Sequence, residues 1–327
     1  MDTTFVLDYG SHTAKYASFS KSDKTSSFDV GVNEVQSRAF VDDELDVVAF
    51  GKHLAELISE NCPADAELNL SLLIDVLLPR RKRELLLKCS FEYLGAKQVF
   101  LGYTAATSLF SVGETTGISV DVGYRGVRVV PVVSGVIQTA LSADVQSVGA
   151  RNTDRVLRQY IPSANESLLF TLKSNACFIG DKTPTLPSHI TLPDGNSLPF
   201  PLSFSACREA GEALLFHPPY TRTPDVLQYT HQKCLLEFPN MKHWVLVGGA
   251  SSIRGTREIL HSSMSHTIIP QKEHFHQLQV KTPMQAAISG GIILSQLSSF
   301  KGMCVNVEEY AEEGPHRCVH LKSVDGR

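Results

Sequence analysis

The chain has 327 residues, 43% of them hydrophobic and 20% charged, with a formal net charge of −4. That composition supports one bilobal globular domain or two domains, and its balance argues against nucleic acid or an anionic membrane as a partner. No apolar run is long enough for a bilayer span, no secretory leader precedes the first strand, and seven scattered cysteines without a C-x-x-C pair read as reduced thiols of a cytosolic or nuclear protein.

Residues 4–19 read as a hairpin: an apolar strand through Leu7, then Asp8-Tyr9-Gly10-Ser11, then an alternating strand to Phe19. The polar segment 21–27 reads as a turn. Residues 28–51 read as a small peripheral hairpin, with Asp42-Asp43-Glu44 as a solvated acidic face. Leu54, Leu57 and Ile58 share one face of a helix over 52–61. The apolar run 70–78, closed by Pro79, suits a buried strand. Arg80-Arg81-Lys82-Arg83 reads as the exposed first turns of a helix, or as a patch for an acidic partner. The helix carries Leu85, Leu86, Cys89, Phe91 and Leu94 inward and is capped by Gly95. A strand at 97–101 and a small-residue helix at 104–112 follow, and this alternation argues an α/β fold.

The stretch Gly113–Gly126 holds a second apolar strand that runs into Asp121-Val122-Gly123. Val127–Val133 and Val136–Thr139 complete three strands separated by glycine turns. Residues 140–149 read as a connector. Asn152 or Thr153 caps a helix carrying Val156, Leu157 and Tyr160, and a second helix resumes over 168–180. The proline-rich stretch 183–202 reads as a loop or small hairpin turning at Pro193-Asp194-Gly195-Asn196, and 204–216 as a helix. Trp244-Val245-Leu246-Val247 is a buried strand running into Gly248-Gly249, with a helix from Thr256. The helix at 284–300 contains Gly290-Gly291. Each glycine costs it about 1 kcal/mol against alanine, so a close approach by a backbone or a ligand is expected there.

The two D-x-G hairpins carry the candidate chemistry. A glycine lets backbone N–H groups approach an anion, and the aspartate can hold a divalent metal beside it. One such hairpin is also an ordinary turn; two suggest a duplicated unit whose halves each offer a phosphate loop to one cleft. Lys15 lies where a reversing strand brings its ammonium back toward the anion, or into solvent. The strand–Gly–Gly–helix at 244–256 suits a nucleotide, since the helix dipole favours negative charge. Ser11 has no His or Asp spacing to make it a nucleophile and reads as a phosphate-loop hydroxyl. His316, Cys318 and His320 are too close together to surround one ion, and that tail reads as a solvated segment; His274 and His276 read as surface residues.

These features, in this order, resemble the actin fold shared by actin, the heat-shock 70 ATPase and the sugar kinases. The local text is similar to actin at Ser108–Ile118 (SLFSVGETTGI), Val245–Ser251 (VLVGGAS) and Glu309–Pro315 (EYAEEGP). The resemblance implies a duplicated bilobal α/β fold with reduced outer subdomains. Its outer lobe would be 1–111 plus 286–327, with a peripheral subdomain near 28–50; its inner lobe would be 112–285, with one near 149–218. It implies ATP or ADP with Mg²⁺, held by Asp8, Gly10, Ser11 and Lys15 from the first loop and Asp121 and Gly123 from the second. Gly248 and Gly249 would lie under the adenosine, Lys173 near the base and ribose, and Asp8 and Asp121 on the metal side.

The departures narrow what is implied. Actin's second loop, D-S-G-D-G, is here Asp121-Val122-Gly123-Tyr124-Arg125, so Tyr124 replaces a carboxylate. That loop and Ala176–Asp181 are similar to the actin-related protein at the pointed end of dynactin. The region between Lys15 and Leu70 is shorter than actin needs for its small outer subdomain and subunit-gripping loop. By ungapped counting, Thr104 falls at actin's water-orienting glutamine, Arg128 at its nearby histidine and Ser174 at a ribose-contacting glutamate. Orienting a water needs a group of the right reach that both donates and accepts; Thr is shorter and Arg cannot accept. Little or no hydrolysis is expected, and so no enzyme. The implied role is a cytoplasmic, cytoskeletal subunit that caps the pointed end of an actin-like filament in dynactin and supports dynein-based transport. Filament subunits and other dynactin pointed-end proteins would be its partners, with no nucleic acid and no membrane span. The alternative is an actin-related subunit of a nuclear chromatin-remodelling complex. A phosphotransferase of this fold would need a carboxylate base facing its acceptor, and Tyr124 argues against that.

Overall fold

The structure is a computed structural model describing residues 2–20, 30–41, 44–180, 184–191, 195–217, 221–265 and 275–322. The chain divides into two compact units. The first is Met1–Ser119, Pro131–Ala140 and Val280–Arg327; the second is Val120–Val130 and Leu141–Gln279.

The first unit starts with β1 (Asp2–Tyr9) and β2 (Thr13–Ser20), an antiparallel pair, and β3 (Asn33–Gln36), which pairs antiparallel with β2. Within the segment 28–51, expected as one peripheral hairpin, β3 therefore extends the main sheet. Only β4 (Phe40–Val41) and β5 (Glu44–Leu45) form a separate small hairpin, and Asp42 and Asp43 lie outside the described residues. The helix expected at 52–61 begins earlier, as α1 (Val47–Asn61), because the Asp46 side chain accepts the N–H groups of Val48 and Ala49. β6 (Glu67–Ile74) ends four residues before Leu78, the end of the apolar run, because Asp75 turns the chain by accepting the Leu77 N–H. α2 (Arg80–Lys88) carries the basic run, which is not uniformly solvated: Arg83 is buried and donates to the Tyr103 hydroxyl. β7 (Gln98–Tyr103) and α3 (Thr104–Phe110) follow.

The chain then runs through β8 (Gly117–Val122), β9 (Val127–Val133) and β10 (Val136–Ile137), and two of the boundaries between the units fall within β8 and β9. In the second unit, β11 (Ala143–Val145) pairs antiparallel with β9, so the expected connector contains a strand. α4 (Ala150–Tyr160) starts ahead of the expected caps, at Gly149 with φ +109°, and Asn152 lies inside it. α5 (Glu166–Asn175) is capped by Asn165. β12 (His189–Thr191) and β13 (Ser197–Pro199) make the small proline-rich hairpin, although Pro193 and Asp194 of its turn lie outside the described residues. α6 (Phe204–Glu212) is shorter than expected, and β14 (Phe216–His217) pairs with β15 (Thr221–Arg222). α7 (Thr223–Glu237) was not marked by any apolar stripe. β16 (His243–Val247) leads through Gly248 to α8 (Thr256–Ser265) and pairs parallel with β17 (His276–Leu278). His276 is exposed, as expected; His274 lies outside the described residues. The sheet order is β10-β9-β8-β16-β17, with β11 on β9.

The first unit is completed by α9 (Ala286–Ser295), α10 (Phe300–Met303), β18 (Val305–Asn306) and α11 (Val307–Lys322). Its sheet order is β18-β7-β6-β1-β2-β3, with β1, β6 and β7 parallel. Strand β1 is central, and its buried run explains its unbroken apolar text. The Gly290-Gly291 pair has the structural cause expected of it. A Cβ on Gly290 would run into the Thr107 carbonyl of α3, and one on Gly291 would lie 2.8 Å from Leu73. Val6, Leu73, Phe100, Ile288 and Ile292 pack together around this contact. The tail is a helix kinked at Gly314, not a solvated segment: Cys318 and Val319 are buried, and His316 pairs with Glu84 of α2. Both sheets mix with helices, so the fold is α/β. In each, the strand bearing the D-x-G aspartate lies between the strand that follows it and a later one: β1 between β2 and β6, β8 between β9 and β16.

Candidate functional site

The two candidate loops lie in different units. In the first, the register of β1 and β2 sets Asp8 opposite Lys15. Lys15 Nζ donates to Asp8 Oδ2 at 3.2 Å, and the two side chains are only 10% and 12% exposed. Gly10 is glycine for a steric reason, since a Cβ would lie 2.7 Å from the Thr13 carbonyl oxygen. Ser37, just beyond β3, latches the turn: its hydroxyl donates to the Gly10 carbonyl at 2.5 Å and its N–H to the His12 carbonyl at 3.0 Å. Ser11 sits half-buried at the tip. The Tyr9 hydroxyl accepts the Arg38 N–H at 3.1 Å and meets His53 Nδ1 at 2.7 Å. Burial pushes the tyrosine up and the histidine down, which keeps this pair neutral beneath the loop.

In the second unit the turn is stitched to a helix. Gly123 N–H donates to the Gly126 carbonyl at 2.9 Å. Ala150 and Arg151, the first residues of α4, donate their N–H groups to the carbonyls of Gly123 and Tyr124 at 3.1 and 2.8 Å. Those N–H groups have no partner inside the helix, so turn and helix end satisfy each other. Gly149 lets them meet: a Cβ there would lie 2.6 Å from Gly126 N. Gly248, with φ +91°, is backed by the same loop, and its Cβ would collide with Asp121 Oδ1 and the Val122 carbonyl. Gly249 opens a short 3₁₀ turn. The structure thus joins Asp121, Gly123 and Gly248 in one cluster, as it joins Asp8, Gly10 and Lys15 in another.

Three side chains give the second loop its electrostatics. Arg128 on β9 lies 3.7 Å from Asp121 Oδ2 and 3.6 Å from Asp144 Oδ1, with Asp144 opposite it on β11. Lys173 of α5 pairs with Asp154 of α4 at 2.7 Å, the two side chains being 11% and 5% exposed. Its ammonium also stands 5.5 Å from the centre of the Tyr124 ring, a cation–π distance. The Tyr124 phenol is pushed up to about 12, first by burial, then by the Asp154 and Glu166 carboxylates and a hydrogen bond with Asp154; Arg158 opposes them. Tyr124 is therefore a neutral hydrogen-bonding group turned onto α4, and Asp154, not singled out in the sequence, is its anchor. No local pattern marks that pair, since 19 residues separate Asp154 from Lys173.

Measured against Mg²⁺, which takes one or two carboxylates in an octahedral oxygen shell, the second loop does not fit. Its carboxylate already faces a guanidinium, and the residue standing in for a second carboxylate is a tyrosine held by Asp154.

A model of the family described as Actin matches residues 52–174 and 146–324. The chain belongs to the actin family. The matched residues include the second loop, Lys173 and Gly248-Gly249, while Asp8, Gly10, Ser11 and Lys15 precede them. Actin-like protein 7A of Rattus norvegicus is 25% identical over 261 residues, which cover 73% of this chain and 58% of that protein. The chain thus spans less than two thirds of the length of that actin-family relative. Among the described residues, no helix is long and apolar enough to cross a membrane.

Proposed function

We propose that this actin-family chain is a structural actin-related subunit that caps the pointed end of an actin-like filament in the dynactin complex, in the cytoplasm, supporting dynein-based transport. The observation that carries this reading is the second loop. Its tyrosine hydrogen-bonds Asp154 and its aspartate faces Arg128, so neither is arranged to drive turnover. By ungapped counting, Thr104, the first residue of α3, and Arg128 fall where actin orients its attacking water, and neither side chain suits that task. In this reading ATP or ADP is a structural ligand with little or no hydrolysis. Asp8, Gly10, Ser11 and Lys15 serve the phosphates, and Gly248, Gly249 and Lys173 serve the nucleoside side.

The end-capping part rests on the short segment between Lys15 and Leu70. Between β2 and β6 its described elements are β3, the β4–β5 hairpin and α1, where actin carries the loop that grips the next subunit. A subunit that docks on a filament end but lacks that grip stops further addition. Its partners are the filament subunits and other dynactin pointed-end proteins. Affinity purification of the tagged chain at mild salt, with mass spectrometry of the proteins recovered, tests this. Stoichiometric dynactin subunits support the reading. Chromatin-remodelling subunits in their place, or nothing stoichiometric, overturn it.

A further inference from the structure

We infer that the cation beside Asp121 is supplied by the protein itself: the guanidinium of Arg128 takes the place of a divalent metal at the second loop. Arg128 lies between two carboxylates from neighbouring strands, 3.7 Å from Asp121 Oδ2 on β8 and 3.6 Å from Asp144 Oδ1 on β11. The register puts Asp144 directly across from Arg128, so the bridge is fixed by strand pairing and not by a mobile loop. The three side chains are 22%, 30% and 10% exposed, which weakens solvent screening of the pairs.

The other oxygen of Asp121 is also confined, since Asp121 Oδ1 lies in the space that a Cβ on Gly248 would need. A metal at Asp121 would have to sit within a few ångströms of a fixed positive charge, and like charges at that range repel strongly in a partly dry site. Arginine suits this position because it stays charged and its planar fork reaches two carboxylates at once. Tyr124 fits the same account. A second carboxylate in the loop would ask for more positive charge, whereas a neutral phenol held by Asp154 does not.

This inference rests on the second loop alone and does not need the capping role, so co-purification results leave it standing or falling on its own evidence. The test is Mn²⁺ binding, followed by the loss of the free-ion paramagnetic resonance signal, on the purified full chain without nucleotide. We expect the wild-type chain to show no saturable site at Asp121. Arg128→Gln should gain one, at least about tenfold tighter than any wild-type binding, because the repelling charge is gone and two carboxylates remain. The gain should disappear in Arg128→Gln/Asp121→Asn. If Arg128→Gln does not fold, Arg128→Met, which carries neither a charge nor a donor suited to a hard cation, makes the same comparison. Tight wild-type binding lost in Asp121→Asn overturns the inference. So does an Arg128→Gln variant that remains indifferent to Mn²⁺, because Arg128 would then not be what stands in for the metal.

Discussion

The space that a side chain on Gly248 would fill is already taken by the Asp121 carboxylate. The residue after β16 is held at φ +91°, and its missing Cβ would run into Asp121 Oδ1 and the Val122 carbonyl. Gly248→Ala therefore combines a strained backbone with displacement of the second loop, and should cost about 3 kcal/mol in denaturant unfolding. Gly113→Ala is the control. It shares the positive φ, at +80°, but nothing lies within 4 Å, so it should cost only about 1–2 kcal/mol. Equal losses at the two sites would show that the collision with Asp121 carries no energy.

In an open helix, Gly290→Ala would stabilise by about 1 kcal/mol. Here the sign reverses, because the added methyl meets the Thr107 carbonyl and must push α9 off α3. A net loss of about 2–4 kcal/mol is expected, read from the chemical denaturation midpoint at unchanged slope. A stabilised variant would mean that the two helices separate readily.

Lys173→Met leaves Asp154 charged, 5% exposed and without its ammonium. Breaking such a buried pair from one side costs about 3–5 kcal/mol, while replacing both partners by apolar groups is far milder. Lys173→Met/Asp154→Leu should therefore be more stable than Lys173→Met alone. The double-mutant cycle, measured by thermal unfolding, should show strong positive coupling.

The His231 ring lies 4.0 Å from the Phe275 ring centre, and burial pulls its pKa down to about 4 from an ordinary value near 6.5. Its folded pKa lies below its unfolded one, so between those values the unfolded chain binds the extra proton. Stability from this residue is then fully present above about pH 6.5, falls as pH drops toward 4, and flattens below that. The total is on the order of 3 kcal/mol. His231→Phe should flatten that part of the pH profile, and an unchanged profile would rule out this source. Burial lowers His53 in the same direction.

What could be read in advance was what short-range chemistry decides. Strand β9 appeared with its observed ends because a β-branched run lies between glycine turns. The paired glycines of α9 announced a close neighbour by their cost. The start of α1 escaped because Val47 and Val48 favour strands, and a single aspartate cap outweighed them. Helix α7 escaped because its buried face uses Thr230, His231 and Cys234 beside Leu227, which leaves little apolar contrast. Candidate residues at the two loops were legible from glycine and aspartate spacing. Their partners were not, because Asp144, Asp154 and Ser37 reach them through strand pairing and helix packing that no local pattern encodes.

The α9–α3 contact also bears on the order in which the protein can be made. Strands β1, β2 and β6 can pair within the first 74 residues, yet the helix that covers Val6, Leu73 and Phe100 begins only at Ala286. During synthesis an apolar sheet face waits, uncovered, while the entire second unit emerges. Most of that unit, Leu141–Gln279, is complete before the covering helix leaves the ribosome. The first unit to begin is thus the last to close, and a nascent chain in that interval presents the kind of exposed apolar surface that holding chaperones bind.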